Sequence, residues 1–314
     1  MMSKGISVRS RWARTVGLVM ALAVLVCAAG LSESVAWAQP VQVRIGHATW
    51  VGYGPLYIAK EKGFFDRYGL DVELVVIEDE AQYGASVLSG RVHGLANVID
   101  REIVHHAQGV PIQVVFAMDE SYGGDGIVAS ADIKTVADLA GKTVGLDKAS
   151  TSYFFFLAIL EDHGVDEAAV RTVEMGSGDA GAAFVAGQLD AAVTWEPWLS
   201  MASQRPGGHV LVSSREYPGI IVDVLTLRQD FIEAHPEAVV GLTKAWNEAV
   251  EYYRQNPEEG ARIMAKALDL SLEEFTEMAA GVRFYGKDEN LAYFQRDAQS
   301  SVYQIARLAQ QFWL

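Results

Sequence analysis

Polar and aromatic side chains collect where the predicted strands of this sequence end. Trp and Tyr rings offer flat faces for stacking, while hydroxyl, amide and carboxylate groups offer hydrogen bonds. Because the strands of an α/β sheet present their carboxyl ends along one edge, we expect these groups to meet in one ligand-binding cleft. For any single carboxylate, a helix cap, a turn or a surface charge is an equally good interpretation. The candidate ligand-binding residues are Trp50, Tyr53, Asn97, Asp100, Asp119, Ser121, Ser150, Thr151, Thr194, Trp195, Glu196 and Asp223.

Three sequence motifs suggest cofactor or metal binding, but the residues around each motif favour another interpretation. Residues 176–181 (GSGDAG) match a dinucleotide-binding pattern, but they follow the second strand of their unit, which favours a tight turn. Residues 141–143 (GKT) resemble the end of a phosphate-binding loop, but Val136 stands where that loop needs glycine. His105 and His106 are adjacent and point to different sides of a helix, so they cannot chelate one ion. We therefore predict no catalytic residues, no metal and no cofactor.

Composition and charge indicate an acidic globular protein. The chain has 314 residues, of which 50% are hydrophobic and 21% charged, as in ordinary folded domains. Its 25 Lys and Arg residues against 40 Asp and Glu residues give a net charge of −15, which repels phosphate backbones and predicts no nucleic-acid partner. Cys27 is the single cysteine, so an intramolecular disulfide is excluded.

The N-terminus has the pattern of an export signal. Basic residues precede an uncharged stretch at 15–31, and residues 36–38 (AWA) supply the small-x-small pattern of a cleavage site. We expect cleavage after Ala38, with residues 1–38 as signal peptide and a periplasmic location. A retained membrane anchor is the first alternative, but the uncharged stretch is only just long enough. A lipoprotein modified at Cys27 is the second, and Val26 disfavours it because a small residue is needed there.

An internal repeat organises the rest of the chain. Short strand-like segments alternate with helical ones, and residues 87–98 (VLSGRVHGLANV) align with residues 184–195 (FVAGQLDAAVTW) at an offset of 97. Two shorter blocks agree at offsets of 99 and 95. From Arg228 onward the pattern predicts helices only. We therefore predict an α/β fold of two similar lobes, with 39–117 plus 219–314 as lobe 1 and 118–218 as lobe 2. The chain would cross between lobes near 118–119 and 218–223, which makes a hinged clamp.

Four segments resemble a known family. They are residues 50–65 (WVGYGPLYIAKEKGFF), 138–145 (DLAGKTVG), 182–191 (AAFVAGQLDA) and 195–198 (WEPW). The sequence is similar to the solute-binding proteins of ABC importers for nitrate, sulfonates, taurine and pyrimidine precursors of the thiamine type. This resemblance covers nearly the whole chain after residue 38. It implies a type II periplasmic-binding-protein fold, capture of a solute by lobe closure and delivery to a membrane permease. One departure from the resemblance is that the sequence stops at Leu314, where such proteins usually continue through another short segment.

The balance of charges predicts the kind of solute. The cleft edges offer Asp119, Asp125, Glu196 and Asp223 against one main basic candidate, Arg101, and uncompensated carboxylates repel a bound anion. Aromatic rings there also suit a planar ring or a cation. The main hypothesis is therefore a nitrogen-rich planar or cationic organic solute. The alternative is a small anion such as a sulfonate, taurine or nitrate, for which the hydroxyls of residues 150–152 and a helix start would serve.

Three classes of function stay open on this sequence. A binding protein is favoured, because the export signal, the two lobes and the lack of a catalytic constellation agree. An enzyme of pyrimidine-precursor synthesis on the same fold would need His or Cys clusters that the sequence lacks. A sensor subunit that presents solute to a membrane receptor is the third. We expect a monomeric binding protein without enzymatic activity, whose partners are a small-molecule solute and ABC permease subunits at the inner membrane.

We expect the mature chain to begin at Gln39 and to be recovered from the periplasm. The reason is that residues 36–38 fit the cleavage pocket, whereas Val26 disfavours lipid attachment. N-terminal sequencing of the exported protein checks this. A chain that begins at Cys27 with an attached lipid would contradict it.

Overall fold

The computed structural model describes residues 39–296 and 301–313. The predicted signal peptide, with Cys27, lies outside the described residues. The strands are β1 (Val41–His47), β2 (Leu70–Val76), β3 (Gly94–Val98), β4 (Ile112–Ser121), β5 (Asp125–Ser130), β6 (Thr143–Leu146), β7 (Arg171–Glu174), β8 (Ala191–Trp195), β9 (Gly208–Ser213), β10 (Val222–Arg228) and β11 (Val282–Phe284).

The α-helices fill the connections between strands and the C-terminal part. They are α1 (Gly54–Glu61), α2 (Phe64–Arg67), α3 (Tyr83–Leu88), α4 (Ile99–Ala107), α5 (Thr151–Asp162), α6 (Ser177–Val185), α7 (Trp198–Ser203), α8 (Gln229–Ala234), α9 (Pro236–Gln255), α10 (Pro257–Ala267), α11 (Leu272–Ala279), α12 (Lys287–Tyr293) and α13 (Val302–Trp313). None of the helices in the described part is long and apolar enough to cross a membrane.

The strands form two sheets with the same central pattern. The larger sheet has the order β11-β4-β10-β3-β1-β2, and the smaller has the order β7-β6-β8-β5-β9. In each sheet three neighbouring strands run parallel, and an antiparallel strand pairs with the third of them. The α/β class that the sequence predicts is confirmed.

The repeated sequence block accounts for this likeness. In both copies a helix is followed by a glycine and then by a buried strand, α3 to β3 and α6 to β8. The glycines, Gly90 and Gly187, share a φ of 74°, a left-handed conformation that glycine adopts without the strain of a side chain. The repeat therefore sets both the strand order and the turn that precedes the strand.

Two short segments carry the chain between the sheets. Residues 122–124, the outgoing segment, join β4 to β5, and residues 214–221, the returning segment, join β9 to β10. They are tied together: the Gly123 amide donates to the Ser214 hydroxyl at 2.7 Å, and the Gly219 amide donates to the Glu120 carboxylate at 2.7 Å. Strand β4 continues to Ser121, a little beyond the predicted lobe boundary at 117.

The last helix contacts both halves of the molecule. Helix α13 packs against α4 beside the larger sheet and against α5 beside the smaller one. The rings of Phe154 and Phe312 meet edge to face at 5.8 Å in the core of the smaller sheet. The division of the chain into lobes stays a prediction. It assigns α13 to lobe 1, whereas α13 also packs against α5 beside the smaller sheet.

The sequence missed three strands, and one expectation is wrong. Strands β5 and β9 were not predicted, and β11 contradicts the expectation of helices only after Arg228. Strand β11 has three residues and gains its place by pairing with β4 at the sheet edge, from Val282 opposite Ser121 to Phe284 opposite Asp119. Such pairing is a tertiary effect that local periodicity does not report.

Candidate functional site

A small cavity lies between the two sheets, near the ends of β1, β3 and β8 and the start of α5. Its volume is about 30 Å³, room for on the order of two water molecules. Both sheets contribute to its wall. Five residues predicted from sequence line it, namely Trp50, Tyr53, Thr151, Trp195 and Asp223. The other lining residues are Ala48, Thr49, Val98, Asp125 and Ile221.

Trp50 is held against Asp119 on the floor of the site. Its indole N–H donates to Asp119 Oδ1 at 3.0 Å, and both side chains are buried. Gly52 allows this contact, because a Cβ on that residue would lie 2.2 Å from the Trp50 indole nitrogen and 2.4 Å from the Asp119 carboxyl carbon. Gly52 therefore allows the close contact between Trp50 and Asp119.

Two aspartates lie side by side under the cavity. Asp119 on β4 is the cross-strand neighbour of Asp223 on β10, and the exposed fractions of the two residues are 0% and 2%. Tyr53 donates its hydroxyl proton to Asp223, whereas Asp119 Oδ2 has no hydrogen-bond partner among the described residues. Burial raises the pKa of Asp119 to about 7, and burial together with the Asp119 charge raises the pKa of Asp223 well above its usual range.

Asp125 brings a third carboxyl to the cavity, from the smaller sheet. It is the first residue of β5 and pairs with Trp195 of β8. Burial raises its pKa to about 7, although Ser121 donates a hydrogen bond that opposes the rise. Ser121 itself lies next to the returning segment, 2.8 Å from the Ser214 hydroxyl. Much of the charge on these carboxyls is therefore neutralised by protons near pH 7.

The amino end of α5 and the Trp195 indole place donors at the same cavity. Thr151 is the first residue of α5, and its hydroxyl donates to Asp100, which also accepts from the Trp313 indole at 3.1 Å. The Trp195 indole nitrogen is buried and has no hydrogen-bond partner within the described residues. A helix start and a free indole N–H both favour an oxygen-rich, negatively charged group.

Four predicted residues do not line the cavity, and their side chains bond to other protein groups. Asn97 donates to Glu102 at 2.8 Å, and Thr194 donates to the Ser177 carbonyl at 2.8 Å. Ser150 is the N-cap of α5. Glu196 accepts from the Ser200 amide at 3.1 Å and the Ser200 hydroxyl at 2.6 Å.

Glu196, which the sequence analysis places at the cleft edge, does not line the cavity. Glu196 uses both carboxylate oxygens on Ser200, four residues later in the chain, and the carboxyl that lines the cavity from the smaller sheet is that of Asp125. Arg101, the expected basic residue, lies with its guanidinium 4.7 Å from the centre of the Trp313 ring and does not line the cavity.

Comparison with known proteins decides the family. The sequence profile described as NMT1/THI5 like matches residues 50–260. The chain belongs to the NMT1/THI5-like family. This membership confirms the resemblance found in the sequence.

The chain is similar to two named relatives and to one solved structure. A Bacillus subtilis (strain 168) protein, provisionally named an aliphatic sulfonates-binding protein, is 26% identical over 81% of this chain and 79% of its own. The taurine-binding periplasmic protein of Escherichia coli (strain K12) is 27% identical over 70% of this chain and 69% of its own. The periplasmic aliphatic sulphonate binding protein SsuA of Escherichia coli has a TM-score of 0.71 at 21% identity, over 87% of this chain and 93% of that one. This likeness confirms the periplasmic-binding-protein fold.

We expect Asp125→Asn to change how the stability of this family member depends on pH. The raised pKa means that folded Asp125 holds its proton while the unfolded group ionises, so the free energy of unfolding falls as pH rises from about 4 to about 7. The variant lacks this titration, so its free energy of unfolding relative to that of the wild type should rise by roughly 2 to 4 kcal/mol between pH 4 and pH 7. Urea denaturation at both pH values measures it. If the difference in free energy of unfolding between variant and wild type were the same at pH 4 and pH 7, the raised pKa of Asp125 would be contradicted.

Proposed function

We propose that this protein is the periplasmic solute-binding subunit of an ABC importer, and that its solute is a small aminosulfonate. The observation that carries the proposal is the cavity whose wall comes from both sheets. Residues Trp50, Tyr53 and Asp223 approach from one side, and Asp125, Thr151 and Trp195 approach from the other. A solute in this position would hold the two halves together.

The size of the cavity supports capture by movement. Pockets for small organic ligands usually measure roughly 300 to 1,000 Å³. A cavity of about 30 Å³ is too small for such a solute. The two sheets would therefore separate to admit a solute and come together around it, with the bonded outgoing and returning segments as the hinge.

The anionic part of the solute is supported by the relatives and by the donors of the site. Relatives carry names for binding aliphatic sulfonates and taurine. The unpartnered Trp195 N–H and the start of α5 at Thr151 can serve sulfonate oxygens. Carboxyls would repel this anion only if they were ionised and uncompensated by a positive charge, and burial raises the pKa values of Asp119 and Asp125 to about 7.

The amino group of the solute is supported by the same carboxyls. Asp119 Oδ2 is buried without a hydrogen-bond partner in the described part of the chain, and Asp125 lines the opposite wall. An ammonium group beside these two carboxyls would favour their ionised forms and would compensate their negative charge. A solute with a sulfonate at one end and an amine at the other would use both kinds of group.

We expect titration calorimetry to rank taurine above ethanesulfonate, which lacks the amine, and above ethylamine, which lacks the sulfonate. Asp125→Asn should weaken taurine binding by about tenfold, because the hydrogen bond from the ammonium loses its negatively charged acceptor, and should leave ethanesulfonate within about twofold. Glu196→Gln is the matched control, since Glu196 is bonded to Ser200, and should leave both solutes unchanged.

Two outcomes of this titration would contradict the proposed solute. Ethanesulfonate that binds as tightly as taurine would remove the role of the amine. Guanidines and aminopyrimidines are titrated in the same way. If any of them binds more tightly than every sulfonate, the nitrogen-rich hypothesis is restored and the proposed sulfonate group of the solute is wrong.

We expect a bound solute to make the protein more compact. Small-angle X-ray scattering with and without the tightest solute of the calorimetry series should show a smaller radius of gyration in the bound sample, because lobe closure reduces the spread of mass about the hinge. The control is the same solute with a variant that calorimetry shows not to bind it. An unchanged radius under saturating, calorimetrically verified binding would contradict closure.

A further inference from the structure

We propose that a second small-molecule site, for a planar organic cation, lies in a cavity beside the outgoing and returning segments. This hinge-side cavity has a volume of about 710 Å³, within the usual range for ligand pockets. Its wall is built from β4, β11, α12 and the junction of α9 with α10. It shares no lining residue with the cavity between the sheets.

Aromatic rings form the apolar part of the hinge-side cavity. Tyr253 and Phe284 meet edge to face with ring centres 5.4 Å apart, and Tyr285 and Tyr293 do so at 5.8 Å. All four residues line the cavity. Paired rings from three separate elements present flat faces, which suit a planar aromatic body.

Glu120 provides the buried polar anchor of this cavity. Its exposed fraction is 6%, and it accepts hydrogen bonds from the Gly219 amide at 2.7 Å and the Tyr285 hydroxyl at 3.2 Å. A carboxylate offers about four lone-pair positions, so Glu120 can accept further hydrogen bonds from a ligand. Arg283 forms an ion pair with Glu120 at 3.8 Å, too long for a hydrogen bond, so the pair leaves acceptor positions of the carboxylate open.

The charged groups around Glu120 are themselves paired and are far more exposed than Glu120. Arg254 donates to Glu289 at 2.7 Å and to the Phe284 carbonyl at 3.1 Å. The guanidinium of Arg283 lies over the Tyr122 ring. The least exposed charge is thus the Glu120 carboxylate, which favours a ligand with positively charged N–H donors on a flat ring.

Benzamidine is the probe for this site, because it joins a benzene ring to a planar amidinium. We expect one benzamidine to bind by calorimetry in the presence of saturating taurine, or of the tightest cleft solute. Benzamide, which has nearly the same shape without the charge, should bind at least about tenfold more weakly. Glu120→Gln keeps an acceptor for the Gly219 amide and should weaken benzamidine binding by about tenfold. Tyr253→Ala, which removes one wall, should also weaken it and serves if the first variant does not fold.

Asp125→Asn is the control for binding in the other cavity and should leave the benzamidine affinity within about twofold. Loss of benzamidine binding in this control would place the probe between the sheets and overturn the proposal. So would equal binding of benzamide and benzamidine, or no benzamidine binding at millimolar concentration. The same benzamidine titration without any cleft solute tests the second site alone, so failure of the second site is distinguishable from failure of the proposed transport function.

Discussion

The burial of two neighbouring aspartates is the constraint on which the site depends. Asp119 and Asp223 lie side by side on antiparallel strands with almost no exposure to solvent, and two like charges in that position are unfavourable unless protons and donors compensate them. The structure supplies the donors Trp50 and Tyr53, which both come from the turn after β1. That turn is therefore fixed by electrostatics as well as by packing.

The same pair connects the site to the segments between the sheets. Asp119 lies near the end of β4, just before the outgoing segment, and Asp223 lies at the start of β10, just after the returning segment. Between them, Glu120 and Ser121 contact Gly219 and Ser214 of the returning segment. Asp119 therefore directly precedes the two β4 residues that bond to the returning segment, and Asp223 of the cavity wall directly follows that segment, so the buried carboxyls lie next to the backbone that would bend.

Sequence could predict the parts of the site that follow from strand ends, and the remaining parts depend on tertiary pairing. Trp50, Thr151 and Trp195 line the cavity because each follows or ends a strand of the repeated pattern. Asp125 was noted for its charge but not placed among the site residues, because it begins β5, a strand that the sequence did not reveal. Glu196 was expected in the cleft, yet a serine four residues later offers a local bond that competes with a distant ligand. The fold was more predictable than the site, since the repeat and the glycines act locally.

Burial also explains how an acidic cleft is compatible with relatives named for binding sulfonates. Counting carboxylates along the sequence treats each one as a full negative charge, which predicts repulsion of an anion. In the folded protein, burial raises the pKa values of Asp119 and Asp125 to about 7, so these groups are partly protonated near neutral pH. A protonated carboxyl donates a hydrogen bond, and an ionised one accepts one from an amine. The charge of the site is therefore set jointly by burial and by the solute, and the acidic composition alone does not determine which ion the cleft selects.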